Sequence, residues 1–183
     1  MKTLKLLTAI FFISALLVSC NDDDDIEPVN EEEVITTMTV TMMPTGGGTN
    51  VILQTQDLDG DGPNPPIITV SGNLTSGITY MGSIVLLNET EDPADNITEE
   101  VEEEAEEHQF FYTIAGALDA ITTYENFDGD GNPLGTEFSL DAGDASTGTL
   151  TFTLRHEPIK PNAGLVDAGG ETDISASFNV TIE

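Results

Sequence analysis

DISASFNVTI, residues 173–182, alternates polar and apolar side chains along its whole length. Successive side chains of a β-strand point to opposite faces, so this alternation predicts a strand with one buried and one solvated face. The apolar set runs from Ile174 to Ile182 and is expected to face a hydrophobic core. The polar set begins at Asp173 and is expected to face solvent.

The same period of two recurs upstream, in segments rich in Thr and Val that are separated by Gly, Asn, Asp and Pro turns. These segments are residues 34–43, 51–56, 67–70, 78–89, 108–114, 119–126, 136–141 and 149–156. Segment 78–89 is apolar on both faces at its centre, which predicts a central strand covered on both sides. The whole pattern predicts an all-β fold over residues 34–183, an immunoglobulin-like β-sandwich of eight to nine mostly antiparallel strands.

One acidic stretch, residues 89–107, interrupts the strands with eleven Asp and Glu residues. Within it, Asn96 followed by Glu99 resembles a capping box, and Ile97 and Val101 have helical spacing. The stretch therefore predicts one acidic helix inserted between strands, with a solvated loop as the alternative.

The N-terminal residues have the order of a secretion signal, in which Lys2 and Lys5 precede an apolar run from Leu6 to Val18. The signal closes on Leu-Val-Ser-Cys, which resembles the lipobox recognised by bacterial lipoprotein signal peptidase. This resemblance implies that residues 1–19 are removed and that Cys20 carries the lipid that attaches the protein to a membrane. The alternative is an ordinary signal peptide followed by an incidental cysteine.

Residues 20–33 are expected to form an acidic, disordered tether. Its Asp22–Asp25 run resembles the export signal that sends Bacteroidota lipoproteins to the outer face of the outer membrane. We therefore expect a protein anchored in the outer membrane and facing the cell exterior, with a periplasm-facing orientation as the alternative. Because Cys20 is the only cysteine, the domain is expected to contain no disulfide.

The chain is strongly acidic, with 34 Asp and Glu residues against four Lys and Arg and a formal charge of −30. Removal of Lys2 and Lys5 with the signal would leave Arg155 and Lys160 against all 34 acids, a formal charge of −32. Phosphate binding needs clustered cations, so this composition excludes nucleic acid as a partner. The partners that remain are cations, basic proteins and neutral ligands, and bound divalent cations would relieve the self-repulsion of the chain.

Four segments carry a resemblance to a known family: Asp57–Pro63, Tyr80–Glu89, Glu99–Tyr112 and Leu154–Pro158. Together they resemble a group of small uncharacterised lipoproteins of Flavobacteria and other Bacteroidota, over essentially the whole chain after Cys20. The resemblance implies a location and supplies no mechanism. Members tend to be labelled type 1 periplasmic-binding folds, which need two α/β lobes, whereas helical spacing occurs at most once in this sequence.

The first candidate calcium turn contains Asp57, Asp59 and Asp61, followed by Gly62. Alternate carboxylates with a glycine at the bend resemble the start of an EF-hand loop, in which they converge on one Ca²⁺ ion. Ile68 stands where the EF-hand needs its closing glutamate, and strands flank the turn. The sequence therefore leaves open a calcium turn that is not an EF-hand.

The second candidate calcium turn places Asn126, Asp128, Asp130 and Glu137 at the spacing of EF-hand ligands. Pro133 removes a backbone donor that an EF-hand loop uses, and the flanks again have the pattern of strands. An ordinary hairpin turn without metal is the alternative at both turns.

The two histidines, His108 and His156, each lie beside acidic residues, Glu107 and Glu157. Imidazole and carboxylate together can hold Zn²⁺ or Cu²⁺. His108 begins its predicted strand and His156 ends its own, so antiparallel pairing of these strands would bring the rings together. Two unrelated histidines at the rim of the domain are the alternative.

The motifs of catalysis are missing from the sequence, which has no Gly-x-Ser-x-Gly elbow, no phosphate loop and no second cysteine. We therefore expect a non-enzymatic outer-membrane surface lipoprotein that binds divalent cations and is accessory to an outer-membrane transporter. Two alternatives stay open: a structural or adhesive β-sandwich module braced by calcium, and a small-ligand-binding protein for uptake.

Overall fold

The computed structural model describes residues 33–60 and 62–183. They belong to a compact unit that spans Glu32–Glu183. The predicted signal, the lipid attachment at Cys20, residues 20–32 of the predicted tether and Asp61 lie outside the described residues. Within the described ranges, no helix combines the length and the apolar character needed to cross a bilayer.

The described residues form two antiparallel sheets and one short helix, which confirms the prediction of an all-β sandwich. The strands are β1 (Thr37–Pro44), β2 (Val51–Gln56), β3 (Ile67–Val70), β4 (Thr79–Leu87), β5 (His108–Gly116), β6 (Ala120–Tyr124), β7 (Glu137–Ala142), β8 (Ser146–His156) and β9 (Glu171–Ile182). The larger sheet has the order β3-β2-β1-β4-β7-β6, and the smaller sheet has the order β5-β8-β9.

The hydrophobic core lies between the sheets, and both contribute every second residue to it. In β9, Ala176, Phe178, Val180 and Ile182 are buried, as the alternation predicts. Aromatic rings from three strands meet at the centre, where the centroid of Phe138 lies 5.0 Å from that of Tyr112 and 5.5 Å from that of Phe152.

The ring of Phe138 packs directly on the backbone of Gly82, its register partner in the neighbouring strand β4. A Cβ atom placed on Gly82 would lie 2.2 Å from Cζ of Phe138, and Phe138 is fully buried. A side chain at residue 82 would have to displace this buried ring, and glycine permits the close approach.

Strand β4 lies in the interior of its sheet, between β1 and β7, as its apolar centre predicts. The predicted cover on both faces is wrong, because Val85 on the outer face is 42% exposed. The apolar run in β4 is therefore not the sign of a strand buried on both sides.

Helix α1 (Ile97–Glu103) packs against this strand, and the hydroxyl of Thr98 accepts a hydrogen bond from the Leu86 backbone N–H.

The acidic insertion forms this helix, with Ile97 and Val101 buried and Asn96 at its N-cap. The side-chain amide of Asn96 donates to Glu99 Oε1 at 2.9 Å. The helix ends at Glu103, and a short turn leads directly into β5 at His108. The helix therefore fixes the position of the first residue of β5.

Strand β3 forms one edge of the six-stranded sheet, where it pairs only with β2. All four of its residues are exposed, including the apolar Ile67, Ile68 and Val70. This edge leaves backbone groups without a strand partner within the described fold.

Candidate metal centre

The two histidines are direct register partners in the antiparallel pair of β5 and β8. His108 begins β5 and His156 ends β8, so the same end of the ladder carries both residues. Their ring centroids are 4.6 Å apart, and both side chains are buried. The arrangement of two distant rim histidines is therefore excluded, and the pairing expected from antiparallel strands is present.

A third side chain, Glu33, reaches the histidines from the segment that precedes β1. Its Oε1 atom lies 2.9 Å from His108 Nε2, and its Oε2 atom lies 3.8 Å from His156 Nδ1. The Glu33 side chain is only 5% exposed. Glu33, the last residue of the predicted tether, is thus part of the site. It lies in a run of acidic residues, so the sequence did not single it out as a candidate site residue.

The close approach of Glu33 and His108 is not a hydrogen bond. His108 Nε2, His156 Nδ1 and Glu33 Oε2 are buried without a hydrogen-bond partner among the described residues. The other nitrogen of His108, Nδ1, lies 3.3 Å from the Glu104 carbonyl, so a proton on Nδ1 would leave Nε2 with a free lone pair. A buried nitrogen and a buried carboxylate at this distance are stabilised by a positive charge, either a proton on His108 or a bound cation.

The fourth side chain, Asp173, lies at an irregularity in the pairing of β8 with β9. Leu154 pairs with Ile174 but Arg155 pairs with Thr172, so Asp173 is the extra residue of a β-bulge. Bulges redirect side chains, and Asp173 Oδ1 lies 4.0 Å from His156 Nδ1 with 1% of its side chain exposed. The prediction that Asp173 faces solvent is therefore wrong.

A glycine pair before β9 brings this strand close to His156. Gly170 has a positive φ of 69°, and a Cβ atom there would lie 2.2 Å from the His156 carbonyl oxygen. Adjacent glycines at 169 and 170, directly before an alternating strand, are the one feature of the sequence that could have indicated a bulge near Asp173.

The four side chains form one group that could hold a metal ion, and we call it the inner cluster: Glu33, His108, His156 and Asp173. Each offers one donor atom, and these atoms lie within 4.8 Å of one another. Tetrahedral zinc with bonds of about 2.1 Å places its donors about 3.3 Å apart. The donor atoms of the inner cluster, 2.9 Å apart for Glu33 and His108 and no more than 4.8 Å apart overall, span this spacing.

A second group, which we call the outer cluster, consists of Glu107, His156 and Glu157. Glu107 Oε2 lies 4.0 Å from His156 Nε2, and the Glu107 side chain is 59% exposed. The four predicted transition-metal ligands are thus divided: His108 belongs to the inner cluster, the two glutamates belong to the outer cluster, and His156 belongs to both.

The electric field around the inner cluster is negative. Burial, followed by repulsion from Glu33 and Glu104, raises the pKa of the nearby Glu100 carboxyl. The buried Glu33 carboxylate belongs to the inner cluster itself, and the sequence has only four Lys and Arg residues against 34 Asp and Glu residues. The site therefore favours a cation.

Lys160 stabilises the backbone at the start of β5, where His108 lies. Its ammonium donates to the carbonyl oxygens of His108 and Ala105, each at 2.6 Å, and to Asp128 Oδ2 at 3.2 Å. These contacts use its three donors and connect the end of the acidic insertion to the start of β5.

At the second candidate calcium turn, the side-chain oxygens of Asn126 and Asp128, two of the predicted calcium ligands, accept hydrogen bonds from other groups of the protein. Asn126 Oδ1 accepts the backbone N–H groups of Gly135 and Glu137, at 2.9 and 3.0 Å. Asp128 Oδ1 accepts the backbone N–H groups of Asp130 and Asn132, and its other oxygen accepts from Lys160. Calcium at this turn stays a prediction.

At the first candidate calcium turn, Asp57 Oδ1 accepts the Asp59 backbone N–H at 3.3 Å, and the Asn64 amide donates to Asp59 Oδ2 at 2.7 Å. The side-chain hydrogen bond from Asn64 lowers the pKa of the Asp59 carboxyl. Asp61 lies outside the described residues, so calcium here also stays a prediction.

The buried pair of Asp128 and Lys160 predicts a pH-dependent stability. Burial raises the pKa of Asp128, but hydrogen bonds from Asn132 and Lys160 outweigh it and hold this pKa below its usual range. The folded pKa lies below the unfolded one, so the stabilisation is present above the unfolded pKa and is lost as the pH falls through the folded pKa.

We expect Asp128→Asn to lower the free energy of unfolding by about 2 kcal/mol at pH 7, because Lys160 keeps two carbonyl acceptors but loses its charge partner. The difference from the unmodified protein should shrink as the pH falls below 4. Urea unfolding at pH 7, 5 and 3 measures it, with Asp130→Asn as an exposed control in the same turn. A difference that stays constant with pH would contradict this explanation.

Comparison of the chain with protein-family models, with curated proteins and with solved structures finds no match. The geometry and chemistry of the two clusters are therefore the features of the molecule from which a function can be proposed.

Proposed function

We propose that the protein is a non-enzymatic outer-membrane lipoprotein that binds a divalent transition-metal ion, Zn²⁺ or Cu²⁺, at the inner cluster. The observation that carries this proposal is the convergence of two imidazole nitrogens and two carboxylate oxygens from four separate segments of the chain. Imidazole with carboxylate suits Zn²⁺ and Cu²⁺, whereas Ca²⁺ prefers an all-oxygen set.

Charge balance supports a divalent ion. The Glu33 carboxylate is almost fully buried beside His108, and a neutral imidazole does not compensate its charge. One divalent cation would compensate negative charge in the inner cluster and would lie between the buried atoms of Glu33, His108 and His156 that have no hydrogen bond among the described residues. Protonation of both imidazoles would balance the same charges, so acid should compete with the metal.

The location belongs to the same proposal. The lipobox that ends at Cys20 supports a lipid anchor, and the acidic Asp22–Asp25 supports exposure at the cell exterior. A metal-binding domain held there would keep ions close to an outer-membrane transporter that takes them up.

The test is calorimetric titration of the full chain in detergent with Zn²⁺ and with Cu²⁺, in 0.5 M salt to screen exposed acids. Replacement of both ligands in His108→Asn/His156→Asn should weaken binding at least 100-fold, because the nitrogen donors are lost. Asp173→Asn, which keeps the shape of the side chain, should weaken it about tenfold to 100-fold.

Glu91→Gln removes an exposed acid elsewhere and should leave binding unchanged, so it is the matched control. Excess Ca²⁺ should not compete with Zn²⁺ at this site. Equal binding by the double histidine variant and by the unmodified protein would refute the proposal.

A structural role for the metal is the second candidate, and the burial of His108 favours it. His108 is 0% exposed, and the ligands join the segment before β1 to strands of the smaller sheet. An ion here would connect these segments and would exchange slowly with solvent. Ion exchange within seconds favours supply to a transporter, whereas retention for hours favours the structural role.

A further inference from the structure

The imidazole of His156 stands between the two clusters, and each of its nitrogens faces a different one. Nδ1 faces the inner cluster, 3.8 Å from Glu33 Oε2 and 4.0 Å from Asp173 Oδ1. Nε2 faces the outer cluster, 4.0 Å from Glu107 Oε2. The two nitrogens lie on opposite sides of the ring, so the clusters are separate sites that share one side chain.

His156 has no hydrogen bond that fixes either nitrogen. Its Nδ1 is buried without a partner among the described residues, and the ring is more than nine-tenths buried. His108 differs, because its Nδ1 lies within hydrogen-bond distance of the Glu104 carbonyl and leaves one nitrogen for a ligand. A buried imidazole whose nitrogens are not held by hydrogen bonds can bind one metal through its lone pair, and a second through the other nitrogen once the ring N–H proton is lost.

The backbone places the two outer carboxylates side by side. The Glu157 N–H donates to the Glu107 carbonyl at 2.7 Å, which extends the ladder one step beyond the histidine pair. Glu157 has a φ of 49° and is the one non-glycine residue with positive φ in the described part of the chain. Glu157 follows the end of strand β8 in this conformation, and one of its carboxylate oxygens lies within 4.8 Å of a His156 ring nitrogen and of a Glu107 carboxylate oxygen.

We infer that the protein holds two divalent transition-metal ions, and that His156 bridges them through both ring nitrogens. This inference rests on the proposed function, because the first ion occupies the inner cluster. The second ion binds Nε2 of His156 with the carboxylates of Glu107 and Glu157, and solvent completes its coordination. Bridging forms one metal–nitrogen bond on each side of the ring and releases the single ring N–H proton to solvent.

The inner site should fill first, since it has four donors and excludes water, whereas the outer site has three donors and an exposed side. We therefore expect two ions per chain, the second about tenfold or more weaker than the first. With Cu²⁺, the first equivalent should give the resonance signal of an isolated spin. The second equivalent should lower the signal per copper, because an imidazolate bridge couples the two spins.

The experiment uses the full chain in detergent at 0.5 M salt. Equilibrium dialysis gives the number of bound Zn²⁺ ions, and electron paramagnetic resonance follows a Cu²⁺ titration. Glu107→Gln/Glu157→Gln should reduce the count from two to one and abolish the spin coupling, while the first ion binds within about threefold of its usual affinity. Glu91→Gln/Glu125→Gln removes the same charge at exposed positions and should keep both ions.

Each outcome has a distinct meaning. One ion per unmodified chain, or two ions that persist in Glu107→Gln/Glu157→Gln, would overturn the bridged pair and leave the inner site intact. Two ions without spin coupling would also overturn the bridge. No binding at all would refute the proposed function itself.

Discussion

Zinc at a concentration one thousand times its Kd is expected to add about 4 kcal/mol to the free energy of unfolding of this protein. An ion that binds the folded state alone stabilises it by mass action, and the inner cluster exists only when the ends of β5, β8 and β9 meet. For a domain of this size, the gain corresponds to a rise of roughly 10 °C in Tm.

Thermal unfolding with zinc and after chelation measures this effect. His108→Asn/His156→Asn should lose the zinc-dependent rise in Tm, and Glu91→Gln should keep it. Lowering the pH should also weaken the rise, since protons compete for the imidazole lone pairs. A rise in Tm that is equal in the histidine variant would show that zinc acts on exposed carboxylates and not at the inner cluster.

Replacement of Phe138 by alanine is expected to lower the free energy of unfolding by about 4 kcal/mol. The ring is fully buried between the sheets, where it contacts two other aromatic rings and covers Gly82. Truncation would leave a cavity that a rigid β-sandwich cannot close, because its core residues are held by strands on both sides.

The matched control is Ile121→Ala in β6, which removes an exposed apolar side chain from the same sheet and should cost less than about 1 kcal/mol. Urea unfolding with circular dichroism compares the two variants. If Phe138→Ala cost no more than the control, the sheets would have to be packed more loosely at their centre than the structure shows.

Local pattern was sufficient to predict most of the fold. The period of two located the strands to within a few residues, since a half-buried strand needs this alternation wherever it lies. The helix at Ile97–Glu103 followed from the spacing of Ile97 and Val101. The proximity of His108 and His156 followed from antiparallel geometry, because one residue begins its strand and the other ends its own.

The other two residues of the inner cluster could not be predicted in this way. Glu33 lies in an acidic run without periodicity, and only the folded chain brings it to His108. In the alternating sequence, Asp173 belongs to the set predicted to face solvent. The one-residue β-bulge turns its side chain to the buried side instead. The outer face of β4 was wrongly predicted to be covered. The sequence shows that both faces of the strand are apolar at its centre, but it does not show whether another layer covers the outer face.

The exposed edge at β3 has a consequence for how copies of the molecule behave towards one another. The unpaired backbone groups of β3, beside its exposed apolar side chains, could pair with a strand from a second copy. Such pairing is the first step of aggregation. With 34 acids against four basic residues, two copies repel each other strongly at neutral pH. The acidity of the chain therefore opposes the strand addition that the β3 edge would otherwise allow.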